Sequence, residues 1–176
     1  MRFATTFLVL FAVAAPSLSH AQDAAEIVWT TGESGDADVR RGRFQVADGD
    51  CAYATMVDPG AMTVAFAHLE GYELHPPAGA YQDLTLIERF WAVGLVHSRY
   101  HRTFDGSTRL EWRLVEGRQA RHDGFWQVSK LPSGRSEIVF ENLIEAKSFM
   151  HRPLLKAIQV RTMGAIAEAI IRTCGA

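Results

Sequence analysis

The 176-residue sequence has only two cysteines and six prolines, and almost no charge excess, with 18 Lys and Arg against 20 Asp and Glu. Two cysteines, Cys51 and Cys174, build neither the disulfide framework of a small coreless domain nor a four-thiolate zinc site. The near-neutral balance argues against a nucleic-acid partner, which selects basic patches, and no Lys/Arg run marks a polybasic membrane contact. Nucleophilic catalysis lacks its signature: there is no G-x-S-x-G, and Ser133-Gly134 reads as turn chemistry. Phosphate lacks a cradle too. The stretch "TGESGDAD" (31–38) has glycines, but it is acidic and precedes no suitable helix.

Histidine offers no metal centre. His97 and His101 in "HSRYH" are four apart, a ligand pair on a helix. The alternation of Val96, Ser98, Tyr100 and Arg102 with them makes this a strand, where the spacing is about 13 Å, too far to share one ion. His68, His75, His122 and His151 form no ligand-spaced group. We therefore expect no metal, no cofactor and no assigned catalytic residue.

Long apolar runs are also missing, apart from "FATTFLVLFAVAAP" after the basic Arg2. With the small-x-small site Ser19-His20-Ala21, residues 1–21 read as a secretory signal peptide, too short to span a bilayer comfortably. The expectation is a periplasmic or secreted protein cleaved after Ala21, with no stable membrane span. In an oxidising compartment Cys51 and Cys174 are a disulfide candidate, although two separate buried thiols remain open.

What remains is 48% hydrophobic and 22% charged overall, the composition of one ordinary globular domain. Residues 22–38 surround a short apolar patch, Ile27-Val28-Trp29, and read as a flexible lead-in or an edge strand. "VRRGRFQVA" (39–47) alternates as a strand. Gly49-Asp50 opens a helix that stops at Asp58-Pro59. Asp58 as N-cap and Pro59 as first residue predict a second short helix from 59 to about 69, ended by Gly71. From Tyr72 to Lys147 six strands follow, separated by Pro-Pro, Gly94, Asp105-Gly106-Ser107, Gly117 and Pro132-Ser133-Gly134, an antiparallel meander. From Pro153 a long amphipathic helix places Met163, Ile166, Ala167, Ile170 and Cys174 on one side. Lys156, Gln159, Glu168 and Arg172 fall largely on the other. The class is α+β: a curved antiparallel sheet of about seven strands folded around one long helix.

The strand faces carry the functional signal. Leu110, Trp112 and Leu114 share a face opposite Arg109, Glu111 and Arg113, so Trp112 and Leu114 point inward. In the hairpin "HDGFWQVSKLPSGRSEIVFEN" (122–142), the face of Gly124, Trp126 and Val128 meets that of Ile138, Phe140 and Asn142. These aromatics serve equally well as packed core or as the wall of a cavity. Inward-facing Asn142 favours the cavity, because a buried amide needs partners that water or a ligand's polar group would supply. Glu88, His97, Arg99, Tyr100 and His101 are acid/base candidates. "YQDLTLIERFW" and "LVHSRYHRTF" have apolar residues on both faces, so which of these point inward stays open.

With these pieces in order, the sequence resembles the START-like (SRPBCC) superfamily with the helix-grip fold, in particular its polyketide cyclase/dehydrase and lipid-transport branch. The resemblance covers roughly residues 39 to 174. "VDPGAMTVAFAHLEGYEL", with Asp58 and Phe66, follows the first helix. "LEWRLVEG", "DGFWQV" and "LPSGRSEIVFEN" then precede the closing Pro-started helix. The resemblance implies a deep apolar cavity between sheet and helix for a lipid, sterol, quinone or polyketide-like molecule. Its lining would be Trp112, Leu114, Trp126, Phe140 and Asn142, with Met150, Leu154, Leu155 and Ile158 from the long helix and the loop before it. It also implies that the first short helix and the end of the long one meet, which would bring Cys51 to Cys174. Three functions fit: binding or transport of a hydrophobic small molecule, a cyclase or dehydratase acting on a polyketide-like substrate, and a ligand-free interaction module.

Overall fold

The computed structural model describes residues 26–77, 81–147 and 151–175. Residues 1–21, read above as a signal peptide, and the expected lining residue Met150 lie outside them. In chain order the elements are β1 (Val28–Ser34), β2 (Ala37–Val46), α1 (Gly49–Val57), α2 (Pro59–Ala65) and β3 (Leu69–Leu74). They are followed by β4 (Gln82–Phe90), β5 (Gly94–Asp105), β6 (Arg109–Glu116), β7 (Arg121–Lys130), β8 (Ser136–Glu145) and α3 (Arg152–Cys174). All eight strands form one antiparallel sheet in the order β1-β2-β8-β7-β6-β5-β4-β3, curved around α3 in a helix-grip fold.

The lead-in is the edge strand of the two readings: it contributes β1, paired along its length with β2 from Val28↔Arg43 to Ser34↔Ala37, and brings the sheet of about seven strands to eight. One expectation changes. The second short helix ends at Ala65, four residues early. Phe66 is already extended, the Leu69 N–H closes a turn onto the Phe66 carbonyl at 2.9 Å, and Leu69 pairs with Glu88 on β4. Gly60, Thr63 and Val64 make α2 a weak helix, so strand pairing claims the residues beyond it. Gly71 lies in β3, beside an irregularity in its register.

Caps define the two short helices. Asp48 Oδ1 accepts from the Cys51 N–H at 2.9 Å and starts α1. Asp58 closes α1 through its own N–H to the Ala54 carbonyl at 3.0 Å, and its carboxylate accepts the Gly60 N–H of α2 at 2.9 Å.

The long helix is held at both ends. Near its start Arg152 pairs with Asp38 of β2 at 3.1 Å, and that bond holds the Asp38 carboxyl below its ordinary range. At its end the Cys174 and Gly175 carbonyls accept the Asp48 and Ala47 N–H groups, each at 3.1 Å. A disulfide joins Cys51 of α1 to Cys174 across 123 positions of sequence. Phe44, Val46, Met56, Ile138, Phe140, Ala167 and Ile170 fill the core beside this anchored end. Toward the other end, helix and sheet enclose a space. Among the described residues, no helix is long and apolar enough to cross a membrane.

Candidate functional site

The space is a cavity of about 120 Å³ under α3. Its apolar wall comes from every layer: Met56 and Met62 from the short helices, Phe66 just beyond the second, Leu84, Leu86 and Phe90 from β4, and Leu110, Trp112, Trp126 and Ile144 from the central strands. Leu155, Ile158, Met163 and Ile166 close it from α3. A second cavity of about 230 Å³ adjoins it, lined by Val93, Val96, His151 and Leu154 and sharing Phe90, Gln119, Leu155 and Ile158 with the first. Gln119 stands at this junction with its buried Oε1 unpartnered.

Of the residues expected to line a pocket, Trp112, Trp126, Asn142, Leu155 and Ile158 do so, and Leu154 lines the adjoining cavity. Phe140 does not. Its ring packs over Gly42, where a Cβ would sit 2.3 Å away, and lies against Trp29, Phe44 and Trp126 with centroids at 5.3, 6.2 and 4.5 Å. Trp126 therefore separates Phe140 from the cavity. Leu114 also falls outside, because its side chain is tucked against the backbone of Gly117 as the chain leaves β6.

The register resolves the faces that alternation left open on β4 and β5. Leu84 pairs with Tyr100 and Glu88 with Val96, and Glu88, Tyr100 and Arg102 reach the cavity. The alternate residues His97, Arg99 and His101 take no part in its lining; His101 pairs with Asp83 instead.

Burial sets the charge states. It raises the Glu88 carboxyl to about 7, against a nearby Ser98 hydroxyl that pulls the other way, and lowers the His68 imidazole to about 4. The Ser98 hydroxyl is within its influence without a hydrogen bond of good geometry. His68 Nε2 is 3.8 Å from Glu88 Oε1, too long for a hydrogen bond, so the two groups are driven separately toward neutrality. Arg102 is lowered to about 10 by burial, yet its guanidinium is engaged by the Val57 carbonyl at 3.0 Å and by Gln82.

The least expected feature is a chain of polar side chains across the wall. Tyr100 Oη lies 2.9 Å from His122 Nδ1, and His122 Nε2 lies 2.9 Å from Asn142 Nδ2. Asn142 Oδ1 accepts from Gln159 Nε2 at 2.9 Å, and the Asn142 backbone carbonyl accepts from the same nitrogen at 3.0 Å. Asn142 thus finds its partners within the protein rather than in water or ligand. Gln159 is a correction, since the structure buries it on the inner side of α3. It lies four residues before Met163 and seven before Ile166, so helical spacing carried the signal and its polarity concealed it. His122 was legible in the same way, two residues before Gly124 on the inward face of β7.

The sequence matches no protein-family model and no curated protein. Its fold is similar to that of solved structures. The Zhui aromatase/cyclase from Streptomyces sp. R1128 superposes with a TM-score of 0.69 at 16% identity, covering 78% of this chain and 93% of that one. A START superfamily protein from Mycobacterium smegmatis gives 0.64 at 12% identity, covering 84% and 96%. The di-domain aromatase/cyclase BexL from the BE-7585A biosynthetic pathway gives 0.68 at 11% identity, covering 82% of this chain and 52% of that one. These likenesses show the helix-grip fold.

Proposed function

We propose that this domain binds, and in its native setting carries, a hydrophobic small molecule of lipid, sterol, quinone or polyketide-like character between its sheet and α3. The observation that supports this reading is the cavity itself: an apolar space with a few polar groups gathered on its wall, the usual make-up of a small-molecule site. An engineered apolar cavity of about 150 Å³ stays dry and takes up benzene. The inner cavity, about 120 Å³, is thus suited to one ring or a short chain, and the adjoining 230 Å³ receives the rest of a longer ligand. Native mass spectrometry of freshly purified protein, followed by solvent extraction, tests the reading. A retained apolar molecule supports it; an empty protein that also ignores added apolar probes defeats it. The leader-like residues 1–21 support export to the periplasm or the medium as the place where this binding occurs.

A second reading, a cyclase or dehydratase, is favoured by one group. Glu88 sits in the cavity with its carboxyl raised to about 7, suited to accept or give a proton near neutral pH. Turnover of a poly-β-ketone substrate, with a limb of the pH profile near 7 that vanishes in Glu88→Gln, would establish it. An absence of turnover leaves the carrier. The structural neighbours described as aromatase/cyclases lend this reading their fold and nothing finer.

A further inference from the structure

We propose that the cavity selects a ligand carrying a carbonyl-type oxygen, because the polar chain along its wall has a single polarity and ends in a hydroxyl hydrogen that faces the bound molecule. The proposal rests on the cavity being the binding site, as argued above. Its starting point is a group that admits one role. The backbone carbonyl of Asn142 is only an acceptor, so the Gln159 side-chain atom 3.0 Å away must be Nε2, a donor. The same nitrogen lies 2.9 Å from the Asn142 side chain, which must therefore offer Oδ1. The Asn142 amide has no freedom to flip, and Nδ2 turns toward His122 at 2.9 Å.

An N–H directed at His122 Nε2 requires a lone pair on that nitrogen. Burial keeps the imidazole neutral above about pH 4, so its one hydrogen is on Nδ1. Nδ1–H then donates to Tyr100 Oη at 2.9 Å, and the phenol keeps its own hydrogen unspent. Among the described residues no other side chain takes it in hydrogen-bond geometry: the Ser98 hydroxyl lies near enough to favour the phenolate but makes no geometric hydrogen bond, and none joins Tyr100 to Glu88. Tyr100 is buried, and it lines the cavity. A phenol hydrogen in an apolar wall, with its oxygen already accepting, is a donor in search of an acceptor. A ketone, ester or quinone oxygen fits it, whereas a plain hydrocarbon leaves it unpaired.

The test uses 1-tetralone and tetralin, the same bicycle with and without a carbonyl. Quenching of Trp112 and Trp126 fluorescence reports binding to wild type and to Tyr100→Phe. Removal of the hydroxyl should weaken tetralone roughly threefold to tenfold, the effect of one neutral hydrogen bond, and leave tetralin unchanged. Independently of any probe, 15N NMR of wild type at pH 7 should show His122 protonated at Nδ1 and bare at Nε2. Equal effects of Tyr100→Phe on both probes, or none on either, would overturn the selection while leaving the cavity a binding site. Failure of both probes to bind would remove the cavity reading and this proposal together. Should Tyr100→Phe not fold, the tautomer still decides, because an Nε2-protonated His122 reverses the chain and overturns the proposal.

Discussion

The indole of Trp112 occupies the place where a Cβ on Gly124 would stand. The two residues are paired across β6 and β7, and a Cβ built on Gly124 would lie 2.3 Å from the ring and 2.2 Å from the Glu141 carbonyl oxygen. Trp112 lies over the strand only because its partner has no side chain. Neither the ring nor the carbonyl is the far end of a flexible chain, so Gly124→Ala must displace one of them. Overpacking of this kind costs about 1–3 kcal/mol. We expect a loss in that range in urea unfolding and altered Trp112 fluorescence. A neutral substitution would mean that β7 shifts freely against β6.

The disulfide closes most of the domain. In the loop-entropy picture a cross-link spanning 123 positions restrains the unfolded chain by about 4–5 kcal/mol. Cys174→Ser, or reduction, should lower the unfolding free energy by an amount of that order, with the end of α3 fraying from α1 first. Hydrogen exchange at Ala47 and Asp48, whose N–H groups bond the last carbonyls of α3, would register the fraying. Alkylation of oxidised, denatured protein should find no thiol, and two labelled cysteines would refute the bond.

Trp126 and Phe140 are neighbours with tilted rings whose centroids are 4.5 Å apart, but they lie in different surroundings. Phe140 is surrounded on all sides, and Phe140→Ala should cost about 3–5 kcal/mol, the range for a packed aromatic replaced by a void. Trp126 has the cavity on one side and fewer partner atoms there, so Trp126→Ala should cost less and enlarge the space for ligand. Thermal unfolding and co-purified lipid, measured on both variants, separate the two roles. Equal destabilisation with no lipid in wild type would make Trp126 ordinary core.

Acid stability should show opposed contributions. His68 and His122 ionise near 4 in the fold against 6.5 when unfolded, because burial disfavours the imidazolium. Their contribution is complete above 6.5 and is lost as the pH falls through 4. Glu88 ionises near 7 against 4.5, so its contribution is complete below 4.5 and is lost as the pH rises through 7. Between 4.5 and 6.5 two histidines oppose one carboxyl, and wild type should weaken on acidification. Glu88→Gln removes the opposition and steepens that fall. From pH 4.5 to 7 the variant should gain roughly 3 kcal/mol relative to wild type, the linkage value of the Glu88 shift. Parallel curves of urea midpoint against pH would sink this.

Export carries its own test. N-terminal sequencing of protein from the extracytoplasmic fraction should begin at Gln22. A membrane-bound product retaining residues 1–21 would contradict it.

Much of this architecture could be read from local pattern. Alternation assigned the inward face of β6 because a charged face stood opposite an apolar one, pairing extended the assignment to β7 and β8, and the observed pairs Trp126↔Phe140 and Gly124↔Asn142 are those the hairpin requires. Turn residues punctuated the meander, Asp58-Pro59 marked the junction of α1 and α2, and the 3.6-residue period announced α3. Each is a short-range signal, set by backbone geometry and by one face meeting water.

The rest needed the assembled chain. On β4 and β5 both faces carry apolar residues, and only register against neighbouring strands decided that Glu88 and Tyr100 enter the cavity while His97 and His101 do not. Parity put Phe140 inward but could not say that Trp126 and Phe44 cover it, since coverage depends on how tightly a curved sheet closes on its helix. Gln159 was placed outside because an isolated amide prefers water. Inside, the Asn142 carbonyl and side chain replace that water, and such partners become visible only when strand and helix meet.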